Sequence, residues 1–475
     1  MTGEAYARAH RARFLGELKQ LVRFPSVSAQ SKHAGDVRAC AGWLAEHLKR
    51  IGMAGVRIVP TPRHPIVYAE WMGAPDRPTV LIYGHYDVQP PDPLKEWTTP
   101  PFEPTVRGSH LYGRGVCDDK GQLFAHVKAL EACLKTSGRL PVNVKCLFEG
   151  EEEIGSPNLK PFLLKHAGKL AADAAVMSDT RILGPDQPAL TYSLRGGLGM
   201  ELEVAGAKQD LHSGTFGGAV HNPLHALCEI VAGLHDAEGR IAIPGFYDRV
   251  RLPDERERAY MATVGPADAS ILANARILAD AGASRGWGEP GWSIYERTTI
   301  RPSLAVTGLT GGYQGEGSKA VIPARASAKL NFRLVPDQDP REIDLLVRRH
   351  LARVTPPTVR SKVTTQLGAR PAVLDRRHPV MRAAARAYRR GFRASPVFLR
   401  SGGSIPVVNL FQERLGIPTA LMGFALPDDR IHAPNERFHL PNFERGIATC
   451  LAFLEEMAAV PAQTAGAPLQ TEALA

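Results

Sequence analysis

The chain is poor in cysteine, and the six it has, Cys40, Cys117, Cys133, Cys146, Cys228 and Cys450, are scattered with no C-x-x-C pair. That excludes a disulfide scaffold and a Cys-type zinc module, and it suits a reducing cytoplasm. Long apolar runs are also missing. No uncharged stretch approaches the ~18 residues of a membrane span; the longest, Leu415 to Leu426, is interrupted by Pro418. Met1 to Gln20 carries Glu4, Arg8, Arg11, Arg13, Glu17 and Lys19 and lacks the apolar centre of a signal peptide. The expectation is a soluble, cytoplasmic protein with no membrane partner. Basic tracts are absent too. Lys plus Arg is 58 against 48 Asp plus Glu, and the net charge of +10 is spread thinly. It favours small anions, while a nucleic-acid partner is not expected. Gly113-Arg114-Gly115 lacks the spacing of a phosphate-binding loop, and the chain shows no internal repeat or low-complexity block.

What is present is an ordinary globular composition, 44% hydrophobic and 22% charged over 475 residues. That length predicts two or three domains and a large core. Val37, Cys40, Ala41, Leu44, Leu48 and Ile51 recur at helical spacing, with Gly52 as a stop. Val80 to Tyr83, Val142 to Phe148, Ala174 to Met177 and Thr419 to Phe424 read as strands. Lys120 to Leu134 and the run Phe443, Ile447, Leu451, Leu454 read as helices. Alternating strands and helices predict an α/β domain with a mostly parallel central sheet. The middle differs. With Arg240 to Arg301 taken as an insertion, Tyr192 to Thr365 reads β-α-β-β-α-β, a compact two-layer unit. The expected organisation is a discontinuous catalytic domain, 1–191 and 371–475, with an inserted domain at 192–370. Pro461 to Ala475 reads as a disordered tail.

Acidic and histidine residues gather directly after the expected strands. They lie in Gly84-His85-Tyr86-Asp87, in Glu149-Gly150-Glu151-Glu152-Glu153, in Ser178-Asp179 and, more loosely, in Asp428-Asp429-Arg430-Ile431-His432. Parallel strands end on one edge, where ligands bind, so these positions converge by topology. Asp118 and Asp119 follow a glycine-rich loop and stand near a helix N-terminus, which favours negative charge. Singly, each segment has a bland reading: His85 as a loop histidine, the Glu run as a solvated surface. Together, so many carboxylates on one edge would repel unless a cation joined them. Nitrogen mixed with oxygen donors favours zinc, with manganese or cobalt as alternatives. Two divalent ions would balance three carboxylates and a hydroxide, the composition of a hydrolytic centre. His33, His64, His126 and His166 have no acidic motif around them and receive no role, and the tryptophans read as packing residues.

The segments GHYDVQP, LYGRGVCDDKG, EGEEEIGS, DLHSGTFGG, AVIPARASAKLNFRLVP and GGSIPV occur in that order. In them the chain resembles the M20 family of metallopeptidases, in its cytosolic nonspecific dipeptidase and carnosinase-like branch, from about Leu18 to Leu454. The resemblance implies a catalytic α/β domain with an inserted lid domain that also dimerises. It implies His85 and Asp179 as ligands of one metal, Glu153 and His432 of the other, and Asp118 as the bridge. Asp87 would orient His85, Glu152 would be the general base, and the bond after Asp118 would be cis. His212 would reach the partner subunit's site, while Arg333, Gly403 and Ser404 would hold the substrate's terminal carboxylate. The activity so implied is hydrolysis of small peptides with a free C-terminal carboxylate. Ser401 departs from the acidic residue common in dipeptidase relatives, which keeps an N-acyl-amino-acid amidohydrolase as the alternative. A non-catalytic protein on the same fold would have lost Glu152 or a ligand, and all are present.

Overall fold

The structure, a computed structural model, describes residues 1–268 and 286–462. The expected disordered tail therefore lies, beyond residue 462, outside the described residues, as does part of the Arg240 to Arg301 stretch. The chain divides into two compact units. The larger comprises Met1–Tyr192, Leu374–Leu399 and Val407–Ala475; the smaller comprises Ser193–Val373 and Arg400–Pro406. At Tyr192, where the inserted unit was expected to open on one strand, there are two: Ala189–Leu194 and Gly196–Ala205, interrupted at Arg195.

In the larger unit the sheet runs, in spatial order, Ala54–Val59, Ile66–Trp71, Asn143–Glu149, Thr79–His85, Ala174–Met177, Thr419–Leu421 and Ala189–Leu194. It is a mixed sheet, and the expectation of a mostly parallel one is corrected: only the four middle strands are mutually parallel, and the flanking pairs are antiparallel. For the first pair the cause is loop length. Val59 and Ile66 are too close in sequence for a crossover, so their strands can only form a hairpin. The four parallel strands are almost wholly buried, as near-continuous Val, Leu, Ile and Ala runs require. Their register sets His85 beside Glu149 and Tyr83 beside Met177, so these strands finish on one edge.

Helices cover the sheet. Ala34–Ile51 carries the expected apolar stripe and ends at Gly52, whose φ of 110° is the left-handed cap that glycine adopts at no steric cost. Lys120–Ser137 is buried around its whole circumference through Cys133, so its charged residues need internal partners. Lys120 donates to the Phe24 carbonyl at 2.7 Å. Lys128 donates to Glu17, to Glu131 at 2.7 Å and to His47 Nε2 at 2.7 Å. Burial, and then the charges of Lys128 and Arg50, hold the His47 pKa down at about 2. Among the described residues no helix is long and apolar enough to cross a membrane.

The smaller unit has a four-stranded antiparallel sheet in the order Ser303–Gly311, Arg325–Leu334, Gly196–Ala205, Arg360–Ala369. With helices Pro223–Ala232 and Pro340–Val354 its chain order is β-α-β-β-α-β. Gly196–Ala205 alternates buried and half-buried residues, the period-2 signature of a sheet covered on one face. Leu198, Met200, Leu202 and Val204 pack there with Leu227, Ile230, Val347 and Leu351 of the helices. Both helices begin with a capped turn: the side chains of Asn222 and Asp339 accept from Leu224 and Arg341, with proline at the first helical position.

Lys128→Met should remove the ammonium that Glu17 and Glu131 share, leaving the two carboxylates to the Arg13 guanidinium and, at Glu17, to Arg50. Because those partners remain, the expected loss is about 1–3 kcal/mol, read as a lower urea midpoint at unchanged slope.

Candidate metal centre

The sheet edge delivers the first donors. His85 closes its strand in a fully buried position. Its Nδ1 lies 3.1 Å from the Asp87 carbonyl oxygen and 3.4 Å from Asp87 Oδ1, and its Nε2 lies 3.1 Å from Asp118 Oδ1. One nitrogen is thus oriented from behind while the other faces the cluster. Asp87 also reaches the neighbouring strand end, because its two oxygens accept from the Glu152 and Glu153 backbone N–H groups at 3.2 and 3.1 Å. That bracing sets the short 3-10 turn Glu152–Ile154 on which the acidic pair stands.

Asp118 is the hinge of the site. Its Oδ1 meets His85, and its Oδ2 lies 2.9 Å from His432 Nε2, which in turn is 3.2 Å from Glu153 Oε2. Gln89 Nε2 donates to that same Glu153 oxygen at 2.8 Å. The Asp118–Asp119 peptide bond is cis, as the resemblance implied. Asp119 heads the helix Lys120–Ser137 without a side-chain cap bond and turns Oδ2 to the His85 N–H at 3.3 Å.

Two donor sets result, His85–Asp118–Asp179 and Asp118–Glu153–His432, each with atoms within 4.8 Å of one another and both using Asp118. A third grouping of similar compactness, Glu17–His47–Glu131, already encloses the Lys128 ammonium. The first two have no such resident cation among the described side chains, and the acidities show it. Burial, then the charge of Asp118, pushes Asp179 far up. Burial also raises Glu152, where Asp179, Glu153 and Asp118 outweigh the opposing His85, and raises Glu153 beside Asp118. Asp118 itself is pulled down: burial opposes its charge, but the hydrogen bonds from His432 and His85 prevail. Those bonds push His432 up to about 10, helped by Glu153. His85 rises against its burial through Asp118 and Asp87. Two imidazoles and a crowd of carboxylates can therefore discharge one another only partly, and the mixed N/O donor set fits divalent metal.

Several supporting residues lay outside the sequence argument. Glu151 is no surface residue; it accepts from the Thr61 hydroxyl at 2.7 Å, the His64 N–H at 2.8 Å and the Asn158 side chain. His64, given no role from sequence, thereby braces the acidic turn through its backbone. Glu149 is buried against Ser156 and Tyr83, and burial lifts it to about 7. His126 Nε2 lies 2.7 Å from the Ser178 hydroxyl, next to Asp179. Glu436 touches the Asp118 loop through its side chain. The acidic runs offered a signal for Glu149 and Glu151; His126 and Glu436 had none.

The larger unit thus gathers His85, Asp87, Asp118, Glu152, Glu153, Asp179 and His432. The other expected residues stand in the smaller unit. Arg333 Nη1 donates to Ser404 Oγ at 3.0 Å. Gly403 accepts from the Arg195 N–H at 3.0 Å, and Arg195 Nε donates to the Gly402 carbonyl at 3.0 Å. That grip explains why Arg400–Pro406 goes with the smaller unit. Burial, and next the neighbouring Arg333 charge, holds Arg195 down at about 10. Arg195 and Arg333 thus bring two guanidinium groups to the 402–404 segment. His212 is exposed in the strand Leu211–His212 and contacts Thr215 at 3.4 Å; it does not join the Arg333 group.

The family profile of peptidase family M20/M25/M40 matches residues 81–456. The Cys-Gly metallodipeptidase DUG1 of Candida albicans is 32% identical over 93% of this chain and 94% of its own length. The Beta-Ala-His dipeptidase of Homo sapiens is 32% identical over 95% and 92%. The solved structure of the di-peptidase Dug1p from Saccharomyces cerevisiae superposes with a TM-score of 0.85 at 30% identity, covering 97% of this chain and 98% of that one.

A metal held by His432 would have to displace the proton that Asp118 and Glu153 favour there. Raising pH from 6 to 9 should therefore strengthen zinc binding to the metal-free protein, with protons released on titration. Calorimetry in buffers of different ionisation enthalpy measures that release; pH-independent binding without protons would contradict the ion-pair arrangement.

Proposed function

The chain belongs to peptidase family M20/M25/M40, and we propose that it is a cytoplasmic dipeptidase working with two divalent metal ions, zinc in first place. Relatives of nearly full-length similarity are metallodipeptidases. The observation that carries the reading is the Asp118 carboxylate, with one oxygen toward His85 and the other toward His432. His85, Asp118 and Asp179 would hold one ion, and Asp118, Glu153 and His432 the second. When bound, such ions supply Lewis acidity for a carbonyl and make water acidic enough to attack at neutral pH.

The chain's own groups do the rest. Asp87 fixes the His85 ring so that Nε2 stays on the cluster. Glu152 stands beside a ligand but belongs to neither donor set. Its carboxylate takes the proton of the attacking water and returns it to the leaving amine, so no net proton is gained or lost. Arg333, with Ser404 and the Gly403 backbone, receives the terminal carboxylate of the peptide. We assign a homodimer through the smaller unit, with His212 of one subunit donating to the oxyanion in the other. Its exposure and lack of an acidic partner among its contacts leave it available for that task.

Glu152→Gln should retain both metals yet lose at least ~10²-fold in kcat on dipeptides, because an amide cannot carry the proton. Metal analysis beside kinetics checks this. Mixing that variant with His212→Ala should restore activity as subunits exchange; verified exchange without recovery would remove His212 from a role in trans.

Arg333→Lys keeps the charge but loses the planar fork. It should cost at least ~10-fold in kcat/KM on dipeptides and little more on their C-terminal amides, already poor substrates. A panel including N-acetyl amino acids separates the dipeptidase from the amidohydrolase: preference for the acylated set would favour the latter.

A further inference from the structure

Glu436 is fully buried, and each of its carboxylate oxygens serves two donors. Oε2 accepts from Arg114 Nη1 at 2.8 Å and from the Gly115 N–H at 2.9 Å. Oε1 accepts from the Cys117 N–H at 2.9 Å and the Asp118 N–H at 3.1 Å. Its own backbone carbonyl accepts from the Gly113 N–H at 3.0 Å. One side chain thereby dictates the path of the loop from Gly113 to Asp118. Glu436 also follows closely on His432, at the end of a segment, Arg430 to Asn435, with repeated left-handed backbone. Arg430, His432 and Asn435 all have positive φ, at 56°, 65° and 61°. Residues other than glycine persist in that region only when their surroundings over-determine them.

A second tie joins the same two segments. Asp429 accepts from the Cys117 thiol at 3.3 Å and from the Leu426 N–H at 2.6 Å with one oxygen. Gln122 adds a third, donating to the Cys117 carbonyl at 3.1 Å and accepting from the Phe424 N–H at 2.7 Å. Arg114 Nη2 reaches the Ala433 carbonyl at 3.4 Å. Nothing in this clamp is a donor to either metal set.

We propose that Glu436 is a positioning residue for the metal centre: it locks the Asp118 loop to the His432 segment so that the bridging carboxylate and the far imidazole are preassembled before any ion binds. This rests on the metal-centre reading above. The energetic logic is that a strained loop and a carboxylate aimed at like charges would both relax outward if released. A buried acceptor filled by four donors makes release expensive. The bland alternative is a buried ion pair that only stabilises the fold.

The experiment compares wild type, Glu436→Gln and Glu131→Gln, each stripped of metal and titrated with zinc against a competing chelator. Glu131→Gln perturbs an equally buried carboxylate remote from the donor sets and should lower the melting temperature while leaving zinc affinity unchanged. Glu436→Gln should bind zinc at least ~10-fold more weakly with its circular dichroism retained. Its kcat should recover as free zinc is raised, with KM for a dipeptide unmoved. Wild-type zinc affinity in folded Glu436→Gln would overturn the proposal. Should that variant not fold, Arg114→Lys, which keeps the charge but loses the fork, replaces it and should weaken zinc at least ~3-fold. Unchanged affinity there would be equally fatal. A wild type that takes up no zinc, manganese or cobalt would instead sink the metal-centre reading beneath it.

Discussion

The acidic cluster of the larger unit is arranged around the Asp118 carboxylate, whose two oxygens face two imidazoles drawn from distant parts of the chain. A carboxylate has lone pairs enough for both partners, and for two cations in their place. Around it stand Glu152, Glu153 and Asp179, all raised in pKa by burial and by one another. Such a site stores repulsion that a protein can hold only if the backbone beneath it cannot yield.

The backbone is held by polar bonds that end on main-chain N–H groups. Asp87 grips the Glu152–Glu153 turn, Glu151 grips the chain at His64, and Glu436 grips the loop from Gly115 to Asp118. Each is a buried carboxylate spent on geometry and not on ligation. The acidic wealth of the segment EGEEEIGS is thus divided between residues that face the site and residues that fix them.

The cluster at Lys128 shows the contrast. Glu17, Glu131 and His47 are as close together as either donor set, but the helix Lys120–Ser137 drives an ammonium into their midst. That grouping is electrostatically closed and leaves no room for a metal role. The sets around Asp118 have no covalently attached cation among their described partners, and the carboxylates raise the pKa of both imidazoles instead. An exchangeable divalent ion can take up the same charge, which is the physical difference between a structural cluster and a reactive one.

Local sequence determined a good deal. Apolar runs of four to seven residues placed the strands, helical spacing placed Ala34–Ile51 and Lys120–Ser137, and the acids after each strand marked the edge where His85, Glu152, Glu153 and Asp179 assemble. These features are legible because burial period and strand-end chemistry are written in contiguous residues. The direction of the outer strands was not, since pairing depends on loop length and on neighbours far away in sequence. Nor was the fate of the 400–406 segment, which follows the grip of Arg195 on Gly402 and Gly403. Glu436 sits in Ala433-Pro434-Asn435-Glu436-Arg437 with no motif to distinguish it from a surface glutamate. Only when the chain has folded does it lie under the Asp118 loop, because hydrogen bonds between segments some three hundred residues apart are decided by packing and leave no local pattern behind.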